Sequence, residues 1–179
     1  MKIYTRKGDD GTTGLLYGGR VAKDDPAPAA YGDVDEAQAV LGLARAGCER
    51  GGELDTMLVA LERDLWVLMA ELATEPANRH KLTAGQSLVT GDMVRALEQL
   101  IDDLSARFEM PTEFVVPGED GTAALLDLGR TVVRRAERHA VRVAAEGSEV
   151  LAYLNRLSDL LWTMARWQEG ESLPARGPR

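Results

Sequence analysis

The sequence has few of the residues that build redox, disulfide or metal centres. It holds one cysteine and two histidines among 179 residues. Cys48 has no second cysteine with which to pair, and His80 and His139 are isolated in the sequence. A zinc-type site needs several converging ligands of these kinds. We therefore interpret both histidines as surface or half-buried residues and Cys48 as a small residue at the core boundary, and we assign no metal ligands to the protein.

Long hydrophobic runs and a surplus of positive charge are also missing. No stretch reaches the ~18 consecutive apolar residues typical of a membrane span, and the residues after Met1 are polar rather than signal-like. These features predict a soluble, cytoplasmic protein. The net charge of −8 excludes general attraction to nucleic acid or to an anionic membrane. An anionic ligand would therefore need a local basic cluster.

Helical periodicity is what the sequence has in abundance. Apolar residues make up 45% of the chain, and from about residue 33 onward they recur at a spacing near 3.6. We predict an all-α fold, a five-helix up-and-down bundle, in a single domain over 1–169 with a disordered tail over 170–179. The predicted helices cover 34–47, 53–73, 91–108, 122–145 and 148–169, separated by a loop over 74–89 and a turn-rich crossover over 111–121. Asp33 and Glu36 predict a capping box for the first helix, and Ser148 an N-cap for the last.

Residues 1–32 do not match a bundle helix. They are rich in glycine, threonine, aspartate and basic residues. Glycine permits close backbone approach, and successive N–H groups of such a loop can surround a phosphate. The G-x-x-x-x-G-K-[ST] pattern of a P-loop is absent. Two interpretations stay open: a phosphate-binding loop, and a flexible surface arm in which Asp9 and Asp10 are solvated turn residues.

Arginines are concentrated on the fourth predicted helix, between residues 130 and 142. Arg130, Arg134 and Arg138 recur every four residues and so share one flank of the helix. Glu137 lies close to them on the helical wheel and can hold a guanidinium in place. The guanidinium fork suits polyphosphate geometry. The pattern is consistent either with an anion site or with a solvated basic face.

The last predicted helix carries a polar Asn-Arg-x-x-Asp set within an otherwise apolar segment. Its members are Asn155, Arg156 and Asp159. Such a set predicts a buried or half-buried hydrogen-bonding site, and it is consistent either with ligand binding or with structural contacts between helices.

Taken together and in order, these motifs resemble the PduO-type ATP:cob(I)alamin adenosyltransferases. The resemblance spans residues 2 to about 168. The motifs that carry it are residues 2–19, Lys23-Asp24-Asp25, residues 31–36, Phe114-Val115-Val116-Pro117-Gly118, residues 134–138 and residues 153–159. It implies transfer of the adenosyl group of ATP to the cobalt of cob(I)alamin, with Mg²⁺, in a homotrimer with active sites between subunits. It further implies a cob(II)alamin reductase and an adenosylcobalamin-dependent enzyme as partners.

The resemblance also implies the site residues. In the family, the N-terminal loop wraps ATP, the fourth and fifth helices meet the nucleotide, and an aromatic residue lies under the cobalt. The residues of this chain that match the ATP-binding positions are Thr5, Arg6, Lys7, Gly8, Thr13, Gly14, Lys23, Arg134, Glu137, Arg138 and Asn155. Arg134 and Phe114 match the catalytic positions, and Asp35 and Arg130 match a pair that links subunits beside the corrin. From the residues alone, the favoured interpretation of Phe114 is ordinary packing at the junction between the loop and the helix.

Three positions depart from the usual family pattern. Ala37 and Gln38 replace the usual Leu and Asn, and Glu119 replaces a glycine beside the expected corrinoid side. They support an alternative function, an ATP-binding sensor or corrinoid carrier that has lost transfer activity. A third hypothesis is a structural helical oligomer whose arginines form intersubunit salt bridges.

Overall fold

The chain is mostly helical. A computed structural model describes residues 3–177, and within them lie five α-helices, one short 3₁₀-helix over Pro76–Lys81 and two small sheets. The α-helices are α1 (Pro26–Ala46), α2 (Glu53–Leu72), α3 (Gly91–Ser105), α4 (Gly121–Ala140) and α5 (Val150–Glu169). The strands are β1 (Thr12–Gly14), β2 (Arg20–Ala22), β3 (Val115–Val116) and β4 (Leu173–Pro174). The helical character predicted from periodicity is confirmed, whereas periodicity did not predict the sheets.

The first helix begins earlier than predicted. Asp25 is its N-cap, and its side chain accepts a hydrogen bond from the N–H of Ala27. Pro26 occupies the first turn, where its missing N–H costs nothing. The predicted capping box at Asp33 is therefore wrong. Asp33 lies inside α1, where its carboxylate accepts from Arg135 and lies 2.6 Å from Nδ1 of His139.

The start of the last helix also differs from the prediction. Ser148 was predicted as the N-cap, but α5 begins at Val150 with Glu149 at the cap position. The Ser148 hydroxyl oxygen accepts from the N–H of Val150 at 3.3 Å, and the hydroxyl donates to Oε1 of Glu71 on α2, at 2.6 Å. Ser148 thus joins the start of α5 to α2, one residue before the cap position.

The core lies where α4 packs against α1 and α5, with α2 against α1 and α3 against α5. Gly129 on α4 marks the closest approach. A Cβ at this position would come within 3.2 Å of Cδ2 of Leu41 on α1 and 3.6 Å of Cδ1 of Leu161 on α5. The largest fully buried apolar side chains include Leu41, Leu58, Leu61, Leu65, Leu68, Leu97, Leu104, Leu126, Leu154, Leu157 and Tyr153.

The segment predicted as a loop over 74–89 is tied to the core by one buried carboxylate. Glu71 accepts hydrogen bonds from Nη2 of Arg79 at 2.8 Å and from the N–H of Val89 at 2.7 Å, besides that from Ser148. A buried charge with three donors has its desolvation cost offset. Glu71 thus joins α2, the 3₁₀-helix and the connection into α5.

Each small sheet attaches a chain end to the helices. β1 and β2 form an antiparallel hairpin, and just after β1 the N–H of Leu16 donates to the carbonyl of Ala73 at 2.8 Å. β4 pairs antiparallel with β3, and the N–H of Ala175 donates to the carbonyl of Phe114 at 2.7 Å. Over its described part, 170–177, the C-terminal segment differs from the disordered tail predicted for it. Residues 1–2, the start of the first motif, and 178–179, the end of the predicted tail, lie outside the described residues.

Among the helices of residues 3–177, none combines the length and the apolar character needed to cross a membrane.

Candidate active site

A cavity of about 570 Å³ opens between the loop before α4 and the facing sides of α4 and α5. Its lining residues are Pro111, Thr112, Glu113, Phe114, Val115, Pro117, Asp127, Arg130, Arg134, Ser158, Asp159, Trp162 and Arg166. The cavity therefore brings together four side chains singled out in the sequence, Phe114, Arg130, Arg134 and Asp159. They come from three segments, the loop before α4, α4 itself and α5.

Phe114 projects from the wall of this cavity. The residue is 88% exposed, so its ring does not pack in the helical core of the chain. Its backbone, in contrast, is held by the hydrogen bond from Ala175 and by the β3–β4 pairing that follows it. Ordinary packing at a helix start does not account for this residue. An aromatic ring left so exposed on a supported backbone is available to a ligand or a second chain.

The deep wall of the cavity is a network of buried charges. Asp127 accepts a hydrogen bond from Nε of Arg130 at 3.2 Å and from Nη2 of Arg166 at 2.5 Å. Arg166 also donates to Glu169 at 3.2 Å and stacks over the ring of Trp162, with 5.7 Å between guanidinium carbon and ring centroid. Of these side chains only Arg130 was singled out from the sequence.

Two signals could have identified the missed lining residues. Asp127 stands three positions before Arg130, a spacing that brings helical side chains together. Ser158, Trp162 and Arg166 recur every four residues along α5, starting inside the Asn-Arg-x-x-Asp set. Beyond Asp159, the apolar residues of α5 predict a core-facing helix, and this pattern hides Trp162 and Arg166.

The arginines of α4 divide into two groups. Arg135 donates to Asp33 at 3.1 Å and also to Glu36, so it links α4 to α1. Arg134 is exposed, and within residues 3–177 its side chain makes no hydrogen bond or ion pair. Arg138 donates only to the backbone carbonyl of Arg134, at 2.9 Å. Of the flank predicted to bind an anion, Arg130 is paired with Asp127, whereas no carboxylate of the described chain neutralises Arg134 or Arg138.

Two further predicted residues lie side by side. Asn155 on α5 donates through Nδ2 to Oε1 of Glu137 on α4, at 3.3 Å. Oδ1 of Asn155 accepts from Arg156 at 2.8 Å, and Arg156 reaches Glu98 on α3 at 2.9 Å. The polar set in α5 therefore forms a relay of hydrogen bonds across three helices, with Glu137 at one end.

The remaining predicted residues belong to the N-terminal hairpin, residues 3–23. Arg20 organises it by donating to the carbonyl of Lys7 at 2.6 Å and to Oγ1 of Thr12 at 2.5 Å. Asp10 accepts from the N–H and hydroxyl of Thr12 at 2.9 and 2.7 Å, and these bonds lower the pKa of its carboxyl group. The predicted ATP-binding residues Thr5, Arg6, Lys7, Gly14 and Lys23 are exposed there, while Gly8 and Thr13 are partly covered.

Close backbone approach explains one of these glycines. A Cβ on Gly8 would lie 3.1 Å from the carbonyl oxygen of Thr12 and 3.4 Å from Nζ of Lys23. Glycine at this position leaves room for the lysine to fold back over the loop. The hairpin is thus an ordered turn, held by its own hydrogen bonds, that carries exposed cations, which differs from a flexible arm.

The hairpin and the helical part of the site remain apart within one chain. Among the described residues, no hydrogen bond or ion pair joins the hairpin to α4 or α5. Asp35 is exposed on α1, and the ion pairs found within 3–177 do not include one between Asp35 and Arg130. The residues predicted to act together therefore lie in three places: the cavity, the Glu137–Asn155 contact and the hairpin.

Solved structures define the class of protein to which this architecture is similar. A variant of the PduO-type ATP:corrinoid adenosyltransferase from Lactobacillus reuteri, complexed with cobalamin and ATP, matches with a TM-score of 0.86 at 30% identity, covering 98% of this chain and 97% of that one. A second variant of that enzyme, complexed with ATP, matches with a TM-score of 0.84 at 28% identity, covering 97% and 100% of the two chains.

The sequence comparisons agree with the structural ones. The family model described as cobalamin adenosyltransferase matches residues 3–168. A corrinoid adenosyltransferase from Citrobacter freundii is 42% identical over 94% of this chain and 95% of its own length, and one from Bacillus subtilis is 36% identical over 93% and 86%. This chain therefore belongs to the cobalamin adenosyltransferase family.

Proposed function

We propose that this chain transfers the 5′-deoxyadenosyl group of ATP to the cobalt of cob(I)alamin, giving adenosylcobalamin and triphosphate. The family match over nearly the whole chain supports the reaction. The observation that carries it at the level of the site is the cavity in which exposed Phe114 and unneutralised Arg134 face one space. The ring of Phe114 is suited to contact the corrin, and the guanidinium of Arg134 is suited to bind the departing phosphates.

The chemistry requires little acid–base catalysis from the protein. The electron pair of cobalt(I) attacks C5′ of the ribose, the Co–C bond forms, and the C5′–O bond breaks with its electrons leaving on triphosphate. The substrate supplies the reactivity, and the protein supplies orientation and electrostatics. Neither a catalytic triad nor a cysteine nucleophile is needed.

The arginines of α4 stabilise the negative charge that builds on the leaving triphosphate. Arg134 has no carboxylate partner in the described chain, and Arg138 is bound only to a backbone carbonyl, so both retain their charge for an anion. We propose that they and Lys23, with the N–H groups of the hairpin, bind the triphosphate. Preorganised donors of this kind are each worth about 3 kcal/mol of transition-state stabilisation. Mg²⁺ enters with the substrate as MgATP.

Phe114 serves the other substrate. Its ring is exposed on a backbone that β3 and β4 hold. We propose that the ring displaces the lower axial ligand of cobalamin, leaving four-coordinate cobalt that is easier to reduce to cobalt(I). A cob(II)alamin reductase is then the electron donor, and an adenosylcobalamin-dependent enzyme the acceptor of product.

We further propose a homotrimer, located in the cytoplasm, with active sites between subunits. The separation of the hairpin from α4 within one chain supports sites built from two subunits. So does exposed Asp35, which is free to meet Arg130 of a neighbour. The hairpin of one subunit would then cover the triphosphate held by the arginines of the next.

An anaerobic absorbance assay tests the function. The purified protein is mixed with cob(I)alamin and MgATP, and the appearance of light-sensitive adenosylcobalamin is followed together with released triphosphate. We expect both products in equal amounts. A protein that gains thermal stability with ATP but yields no product would be a sensor or carrier instead. One with neither response would be a structural oligomer, since a ligand at 100 times its Kd stabilises by about 2.7 kcal/mol.

A further inference from the structure

Asp127 is a buried carboxylate placed between two arginines. It lies on α4 at the deep wall of the cavity and is only 5% exposed. One oxygen accepts from Nε of Arg130 at 3.2 Å and the other from Nη2 of Arg166 at 2.5 Å. Because each oxygen serves a different guanidinium, the position of the carboxylate determines the distance between the two arginines.

Arg166 is the fixed member of this trio. Its side chain is 1% exposed, and Glu169 lies 2.8 Å from its Nε and 3.2 Å from its Nη2. The guanidinium also stacks on Trp162. Two contacts besides Asp127 therefore hold Arg166 in place, and Glu169 already offsets its charge.

Arg130 is the movable member. Its side chain is 31% exposed, and within residues 3–177 its one ion-pair partner is Asp127, three residues earlier. Only Nε is engaged in a hydrogen bond, so the two terminal nitrogens stay available at the rim of the cavity. A long side chain with one anchor would otherwise sample many rotamers.

We propose that Asp127 is a positioning residue that holds Arg130 at the rim of the corrinoid cavity, with Arg166 as the anchor of Asp127. This inference rests on the proposed function. Asp127 acts through Arg130 and does not itself touch the reacting atoms. At metal sites, loss of a residue that orients a ligand reduces affinity or activity about 10- to 100-fold, and we expect an effect of that order for Asp127.

Asp127→Asn is the first variant to test, because it keeps the shape and one acceptor oxygen but removes the charge. We expect KM for cob(I)alamin to rise at least about tenfold, while KM for ATP changes by less than about twofold, within the range of an uninvolved site. Asp92→Asn is the matched control. Asp92 also pairs with an arginine three residues on, Arg95, but on the exposed surface of α3. A corrinoid KM equal to that of the wild type in Asp127→Asn would overturn the proposal.

A double-mutant cycle separates positioning from general support of the fold. If Asp127 acts through Arg130, then Asp127→Asn in an Arg130→Gln background should raise the corrinoid KM by less than about twofold more, because the shared effect is already lost. If the corrinoid KM of the double variant rises by the product of the two single-variant factors, Asp127 acts independently of Arg130. That result would overturn the proposal.

Folding is monitored for every variant by thermal unfolding. If Asp127→Asn fails to fold, Asp127→Leu combined with Arg166→Met and Glu169→Gln removes the buried charges around Arg166 as a unit, a change that proteins often tolerate. Arg130 then still lacks its partner, so the rise in corrinoid KM should persist, and an unchanged KM would contradict the inference. Absence of product from the wild-type protein would instead reject the proposed function, whatever the variants show.

Discussion

The cavity at Phe114 and the N-terminal hairpin hold their charged side chains in different ways. In the cavity, buried Asp127 and Arg166 come from different helices, 39 residues apart in sequence. In the hairpin, Arg20 is 44% exposed and contacts only residues of the same short segment. Burial strengthens the first set because solvent screens it less, whereas the second is held by local backbone turns.

The difference shows that one half of the site is preorganised by the fold and the other half by local geometry. Helix packing sets the cavity before any substrate arrives. The hairpin arranges its N–H groups and cations by itself, and among the described residues of one chain no hydrogen bond or ion pair joins it to α4 or α5. We therefore expect substitutions in the cavity to change the kinetics of adenosyl transfer, and those outside it to change the assembly of subunits.

The largest effect is expected at the border between the two regions, at Arg134. Arg134→Ala should lower kcat by on the order of 10²- to 10³-fold, the loss typical for one preorganised donor to a developing charge. The bundle should stay folded, because the side chain is exposed and has no partner in the described chain. Adenosylcobalamin formation from cob(I)alamin measures kcat, and Arg142→Ala, an exposed arginine just beyond α4, is the control. An active Arg134→Ala protein would refute the assignment.

The second-largest effect is expected at Phe114 in the cavity, and its size should depend on whether cob(II)alamin or cob(I)alamin is supplied. Phe114→Ala should slow transfer from cob(II)alamin supplied with a reductase at least about tenfold more than transfer from cob(I)alamin, equivalent to about 1.4 kcal/mol of barrier. The reason is that the ring assists reduction and not the attack on C5′. Both assays are run side by side, with Val116→Ala as the control in the same loop. Equal losses in the two assays would remove the proposed axial role.

The third effect concerns assembly. Asp35→Asn should weaken the contact between subunits by about 1 kcal/mol, the upper end for an exposed ion pair. The corrinoid KM should rise several-fold while the thermal shift with ATP persists. Sedimentation and steady-state kinetics measure the two quantities. Asp24→Asn removes an exposed charge just ahead of α1 and serves as the control; an identical response from both variants would contradict a specific role for Asp35.

The smallest effect tests buried charge away from the site. Burial raises the pKa of the Asp64 carboxyl above its usual 3.8, although a hydrogen bond from Tyr153 opposes the shift. The folded state therefore binds more protons than the unfolded state just above that pH, and the contribution of Asp64 to stability falls as pH rises through this window. Asp64→Asn should remove that slope and raise stability at neutral pH by about 0.5 kcal/mol, as measured by urea unfolding at two pH values.

The pKa of Asp55 shifts in the opposite direction from that of Asp64, and the same urea unfolding at two pH values tests it. Hydrogen bonds from the N–H of Gly51 and from Arg45 lower the pKa of its carboxyl group. Its stabilising contribution is therefore present above the usual pKa and is lost as pH falls through the lowered value. Asp55→Asn should destabilise the protein at neutral pH and matter less in acid. If both aspartates respond with the same sign, their environments do not differ as described.

Much of the fold could be predicted from local patterns, and the exceptions have two different causes. The 3.6 periodicity located all five α-helices to within a few residues, except at the start of α1. There the glycine- and aspartate-rich character of residues 1–32 did not match a bundle helix, although Asp25 and Pro26 together form a sound first turn. Ser148 lies one residue before the cap position, and its hydroxyl also binds Glu71, 77 residues earlier. Local propensity does not contain that partner.

The candidate site also has features that local sequence predicts and features that depend on contacts between distant segments. The sequence by itself determined the helical class, the arginine flank of α4 and the family motifs, because these depend on residue type and on spacing within one helix or loop. Only the tertiary structure decided that Asp127 joins Arg130 to Arg166, that Ala175 and the β3–β4 pairing hold the backbone at Phe114, and that no hydrogen bond or ion pair of the described residues joins the hairpin to α4. Such contacts link segments distant in the chain, and they form only once burial of the apolar helix faces has set the helices against one another.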